Sequence, residues 1–185
     1  MKQLVFLLEE ESMKALLDVL LPQILPQGIN FLCIPHEGKQ DLEKSIPRKL
    51  RAWQTPGTSF IIVRDKDQAD CLEVKKRLVN LCAQAGRSDS LIRIACHELE
   101  SWFLGDLSAV EKAFNIKKLS EQQKNRKYKE PDKLSNASEE LEKLVKGYHK
   151  VSGAKKIAAC MTIPQNYSHS FNCFISGVSG LIKSG

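Results

Sequence analysis

Residues 5–13 read VFLLEEESM, and residues 60–70 read FIIVRDKDQAD. In both, a short apolar run stops abruptly at acids, and a helical pattern begins at once. Runs of this kind, nearly continuous in Val, Ile, Leu and Phe, read as strands buried on both faces of a parallel sheet. Working outward, the same type recurs as QLVFLL, INFLCIP, TSFIIVR and SLIRIAC, each closed by a polar or turn residue. Strand and helix alternate through all four. The pattern predicts an α/β fold: a mostly parallel, Rossmann-like sheet flanked by helices.

The intervening helices have legible faces. SMKALLDVLLPQIL places Met13, Leu16, Leu17, Leu20, Leu21 and Ile24 on one side, with Ser12 as a candidate cap. A second helix, from about Gln40 to Trp53, carries the stripe Leu42, Ile46, Leu50 and Trp53, and Pro47 inside it predicts a break or a fresh helix start. In the third, DCLEVKKRLVNLCAQAG, the residues expected inward are Leu72, Val74, Leu78, Leu81 and Cys82, with Gly86 as the stop. After Cys96 the alternation ends. A helical extension is expected over about 106–185, appended to a core of about 1–105 within one domain spanning 1–185. Inside it, NIKKLSEQQKNRKYKEPDKLS reads as a long polar loop, the one stretch expected to be mobile.

The composition excludes several classes. No apolar stretch approaches the ~20 residues of a membrane helix, since LLDVLLPQIL is short and broken by Pro22. The start, MKQLVFLLEEE, runs straight into acids without a small-residue cleavage site, so a cytoplasmic, membrane-free protein is expected. Six cysteines (Cys33, Cys71, Cys82, Cys96, Cys160 and Cys173) include no CxxC pair, which argues for reduced core thiols over a zinc site. The net charge of +6 favours an anionic partner, nucleic acid first.

In a parallel α/β sheet, ligands bind outside the carboxyl ends of the strands, where the strand order reverses. The first strand ends at Glu9, Glu10 and Glu11, and the third at Arg64-Asp65-Lys66-Asp67. If those strands are neighbours, their acids converge. Two aspartates spaced as DxD just past a strand suit Mg²⁺, which takes oxygen ligands. Glu98 and Glu100 follow the fourth strand. An extended chain would point both the same way, whereas a helix would let only one of them face the crevice. Solvated turn residues and helix-end charges are the competing explanation, strongest for Glu10 and Glu11 and, as caps, for Asp67 and Asp70. Trp102 and Phe103 read as core.

The combination of LLEEESMKALLDVLLP, VRDKDQADC, HELESWFLGD and SHSF resembles an uncharacterised family of small prokaryotic Toprim-like proteins, related to the nucleases of the overcoming-lysogenization-defect type. The likeness covers most of the chain. It implies a Toprim-like fold and a metal-dependent nuclease or phosphodiester-transfer enzyme, in a bacterial defence or mobile-element system. By position, Glu9 matches the Toprim glutamate, a general acid–base or metal ligand, and Asp65 and Asp67 match the aspartates that bind Mg²⁺, with Mn²⁺ as a substitute. Toprim domains carry Gly after that glutamate. Here Glu10 stands there, so the choice between Glu9 and Glu10 stays open. Glu98 and Glu100 are further candidate metal ligands.

For nucleic acid, the candidates are Lys66 and the basic stretch with Lys124, Arg126, Lys127 and Lys129, interleaved with Tyr128 as a potential stacking ring. A partner protein, such as an ATPase subunit, or a second copy of the chain is the other expected association. In SHSF, Ser168 and His169 read as a helix cap, since no acid partner or nucleophile elbow supports a Ser–His pair. A binding scaffold without chemistry is the alternative. A receiver-type phosphoacceptor would need a Lys after a fifth strand, and no fifth strand is legible.

Overall fold

Four strands, β1 (Gln3–Leu8), β2 (Asn30–Pro35), β3 (Thr58–Asp65) and β4 (Leu91–Ala95), form one all-parallel sheet in the order β2-β1-β3-β4. They come from a computed structural model that describes residues 2–183. Between the strands run α1 (Glu11–Ile24), α2 (Lys39–Ala52) and α3 (Cys71–Gln84). Past β4 the chain is helical: α4 (Glu100–Leu104), α5 (Leu107–Phe114), α6 (Arg126–Lys129), α7 (Ala137–Leu144), α8 (Lys150–Ala158) and α9 (His169–Lys183), with short 3₁₀ turns between some of them. The fold is α/β and Rossmann-like, with a helical C-terminal extension. No helix among the described residues is long and apolar enough to cross a membrane.

The two-residue period of the strands sorts their side chains into two cores. Leu4, Phe6, Leu8, Ile61 and Val63 face α1 and the helical extension. Val5, Leu7, Phe60, Ile62, Ile92 and Ile94 face α2 and α3, meeting Leu42, Ile46, Leu50, Val74, Leu78 and Cys82. The central strands β1 and β3 are therefore apolar almost throughout. β2 departs from that expectation. It is an edge strand, only Cys33 of it is buried, and Leu32 lies open to solvent.

Three helical details differ from the sequence reading. α2 runs unbroken through Pro47. The proline removes one hydrogen bond, to the Glu43 carbonyl, while Leu42, Ile46 and Leu50 keep one continuous buried face. In α3, Val74, Leu78 and Cys82 face the sheet, whereas Leu72 is 76% exposed. Two residues before Val74 is a rotation of about 200°, which is the outer face. At the start of α1, Glu10 occupies the cap position, and the Ser12 hydroxyl donates to the Glu10 carboxylate instead of capping the helix.

The lysine-rich stretch is folded rather than a loose loop. It consists of a 3₁₀ turn (Ser120–Lys124), α6 and a second turn (Pro131–Lys133). Buried Leu119, Tyr128 and Pro131 anchor it. Gln123 serves two helix ends at once: its amide donates to the Leu104 carbonyl at 3.1 Å, and its Oε1 accepts the Leu107 N–H at 2.7 Å. Those groups lie at the end of α4 and the start of α5, where backbone partners are missing. α8 in turn packs along α1. The six cysteines are all unpaired.

Candidate functional site

Because β1 pairs with β3, the order of connection reverses between them, and the chain leaves both strands at the same edge. Leu8 lies opposite Val63 in the register. Glu9 therefore emerges beside the end of β3, and its Oε2 accepts the Asp65 backbone N–H at 3.0 Å. The Glu9 carbonyl accepts the N–H of Gly38 at 2.9 Å, from a backbone with φ +92° that favours glycine. Arg64 is buried next to them. Its Nε lies 3.8 Å from Glu9 Oε2 and its Nη1 2.5 Å from Glu43 Oε1. Burial raises the Glu9 pKa, and the Asp65 N–H partly offsets that rise.

Asp65 and Glu100 are both buried behind this edge of the sheet, close enough to feel each other's charge and those of Glu9 and Glu10. Asp65 is buried and its Oδ1 has no hydrogen-bond partner. Burial first, then the charges of Glu9, Glu10 and Glu100, hold its pKa well above the usual carboxylate range. Glu100 is 0% exposed, and neither of its oxygens has a hydrogen-bond partner. Burial pushes its pKa up to about 7, against a lowering by Lys150, whose Nζ stands 4.0 Å from Oε1. The buried Tyr148 hydroxyl faces Glu100 without a well-formed hydrogen bond, and burial first, then the charge and proximity of Glu100, raise its pKa.

Buried polar atoms almost always have partners, and a group of buried carboxylates is strongly unfavourable unless something positive sits among them. That donor chemistry, all oxygen and all acidic, fits a hard divalent cation. Among the described residues no three His, Cys, Asp or Glu side chains are grouped to hold one ion together. An ion held here would have to rest on one or two carboxylates, with water or phosphate oxygens in its other positions.

Asp67 has different surroundings. Its side chain pairs with Lys39 at 2.9 Å on the rim. Its backbone is left-handed, φ +53°, and so is that of His97, φ +60°. The two exchange hydrogen bonds: Asp67 N–H to the His97 carbonyl at 2.8 Å, and His97 Nδ1 to the Asp67 carbonyl at 2.9 Å. The DxD thus divides, Asp65 buried and Asp67 on the rim. Glu98 and Glu100 diverge, because only Glu100 belongs to the helix that follows β4. α4 begins at Glu100, which turns inward, while Glu98 Oε2 accepts the Ser138 N–H at 2.7 Å in the first turn of α7. Asp70 caps α3 through the Leu72 and Glu73 N–H groups.

Lys66 is half-buried, with its backbone N–H on the Ala95 carbonyl. Lys124, Arg126 and Lys129 are exposed. Lys127 is tied to Glu140 at 2.5 Å, and Tyr128 cannot serve as a stacking ring: it is buried, with its hydroxyl donating to Glu140 at 2.7 Å. The chain just beyond the basic segment is joined to the loops after β3 and β4, through the Ser138 N–H to Glu98 and through Gln68 Nε2 to the Ser135 carbonyl at 3.5 Å. Trp102 and Phe103 are wholly core. Ser168 is buried, caps α9 through the Phe171 N–H at 3.1 Å, and donates to Asp132 at 2.6 Å, so its role is structural.

Sequence reasoning missed Tyr148 and Lys150. They come from KGYHK, which has no motif character and reaches the crevice only because α8 folds back on α1.

No significant match to a curated protein or to a solved structure is found. One family profile does match: the domain of unknown function DUF4276, over residues 8–179. The match begins at the last residue of β1 and ends inside α9, so it takes in every residue of the crevice from Glu9 to Lys150. The chain belongs to the DUF4276 family.

Proposed function

We propose that this protein is a Toprim-like, Mg²⁺-dependent enzyme that cleaves or transfers phosphodiesters, most simply a nuclease acting in bacterial defence or on mobile elements. The family description carries no activity, so the reading rests on the crevice. One observation carries it: at the β1/β3 switch point, Asp65 and Glu100 are buried near Glu9 and Glu10 with three carboxylate oxygens that accept no hydrogen bond, and Lys150 at 4.0 Å is the one cation paired with them. A fold does not keep such a group without use, since it is a cost to stability.

Asp65 and Glu100 would hold the ion. A bound Mg²⁺ supplies Lewis-acid polarisation of a phosphate oxygen and lowers the pKa of a bound water. Glu10, half-buried with its carboxylate accepting from the Ser12 hydroxyl, would take or give a proton. Glu9, engaged by the Asp65 N–H and Arg64, orients the end of β3 and adds negative charge. Lys66 and the exposed Lys124, Arg126 and Lys129 would carry the phosphate backbone toward the crevice.

The test incubates purified protein with supercoiled plasmid and single-stranded oligonucleotides in Mg²⁺, Mn²⁺ or EDTA, beside Asp65→Asn. Metal-dependent cleavage that Asp65→Asn abolishes is the expected result. The absence of cleavage in both metals would sink the enzymatic reading. A binding scaffold is the second reading, and Glu9 favours it, because one of its oxygens is already committed to a backbone bond.

A further inference from the structure

We propose that Lys150 is the resident cation of the acidic crevice: its ammonium balances Glu100, Asp65 and Glu10 when no metal is bound, and a divalent ion must displace it. The competition with metal rests on the reading above, whereas the counter-charge role does not.

The placement is otherwise hard to account for. Lys150 is the first residue of α8, and its cap residue, His149, makes no side-chain cap hydrogen bond. A helix N-terminus carries partial positive charge, so a lysine there is unfavourable on local grounds. What offsets this lies across the crevice. Nζ stands 4.0 Å from Glu100 Oε1, and the charges of Glu10, Asp65 and Glu98 act on it from further off. At that distance the attraction is strong while no hydrogen bond fixes the ammonium in place. The other side of the pair is a carboxylate with no exposure and no hydrogen bond, whose Oε1 is turned toward the Lys150 ammonium. Such a group must either face a positive neighbour or keep its proton.

Lys150 is also able to leave. Its side chain is 47% exposed, so the head is on the wet side of the crevice and the four-carbon stem can swing it outward. The base of the stem cannot move, because α8 packs on α1 and α5. Tyr148 closes down on Gly153 so tightly that an added Cβ would lie 2.2 Å from its ring. A fixed base with a mobile charged head is what a displaceable counter-ion requires.

The test uses Lys150→Met, which keeps the stem and removes the charge, and Lys150→Arg, which keeps the charge. Mn²⁺ binding is read by electron paramagnetic resonance at pH 8 without nucleic acid. Lys150→Met is expected to bind about tenfold tighter than the unaltered protein, as removal of one nearby competing charge predicts, and Lys150→Arg close to it. In EDTA, Lys150→Met should melt lower, and adding Glu100→Gln should recover the loss, so that the two changes are not additive. Equal Mn²⁺ affinity in the protein and in Lys150→Met, with binding present in both, overturns this inference alone. Additive melting shifts overturn the counter-charge role. No Mn²⁺ binding by any of them overturns the competition together with the metal reading.

Discussion

Glu9 Oε2 accepts the backbone N–H of Asp65 at 3.0 Å, so a carboxylate at the end of β1 also fastens the end of β3. Charge and hydrogen bonding at this position can be separated. Glu9→Gln keeps an acceptor for the N–H and is expected to fold normally. Glu9→Ala leaves a buried donor unmet and is expected to cost about 1–3 kcal/mol in urea unfolding. Both should lower metal-dependent cleavage, by about a hundredfold or more if the negative charge is what matters. Full activity in Glu9→Gln would make the residue a fastener only.

Glu100 makes stability depend on pH. Its ordinary value is 4.5 and its folded value about 7, so the folded state holds the proton more tightly than the unfolded chain does. Its contribution is present below pH 4.5 and is lost as pH rises toward 7, by about 3 kcal/mol in all. Asp65, also raised, acts in the same direction. In EDTA the melting temperature should fall between pH 5 and pH 8 by roughly 5–12 °C. Glu100→Gln should flatten that slope, and so should saturating Mg²⁺. A protein that melts higher at pH 8 than at pH 5 in EDTA would contradict the burial argument.

Gly153 and Tyr148 are in close contact: a Cβ on Gly153 would stand 2.2 Å from Tyr148 Cε2. Gly153→Ala must push the ring away. Overpacking of this kind costs about 1–3 kcal/mol, and differential scanning calorimetry would read it. Because Tyr148 precedes Lys150 by two residues, Mn²⁺ affinity should change in the same variant. Calorimetry indistinguishable from the unaltered protein would mean the ring relocates freely.

Ser168 donates to Asp132 and accepts the Phe171 N–H. Ser168→Ala is therefore expected to lose about 1–3 kcal/mol of stability with cleavage per folded molecule unchanged. Loss of cleavage at full stability would instead revive a serine nucleophile.

Replacing Lys124, Arg126 and Lys129 together by Ala should weaken oligonucleotide binding at all sequences alike. The slope of log affinity against log salt should drop by up to about 2–3, since each exposed cation removed takes one phosphate partner with it. An unchanged slope would remove this face from the nucleic-acid path.

The central strands were legible because burial on both faces leaves a continuous apolar signature, and their terminal acids stood out against it. The convergence of Glu9 with Asp65 needed only the adjacency of β1 and β3. Edges carry a weaker signal: β2 is apolar in sequence yet mostly uncovered, because its position in the sheet and not its composition decides what lies over it. Pro47 misled because a buried stripe outweighs one missing hydrogen bond. Leu72 misled because a helix has only one inner face, and an apolar residue can lie off it. The folded state of the basic segment depends on Gln123 reaching helix ends distant in sequence. Lys150 was invisible for a similar reason: the packing of α8 on α1 is a long-range fact with no local mark.

Asp67 and His97 have a bearing on affinity. Each holds a left-handed backbone without being glycine, a conformation that costs about 1–3 kcal/mol, and each is kept there by bonds to the other. The loops leaving β3 and β4 are thereby joined into a single stiff jaw before any ligand arrives. A ligand bound as proposed would meet a wall already held in place and sacrifice little chain freedom on that side. Removing the His97 ring should therefore weaken binding through entropy, while every group that touches the ligand stays present.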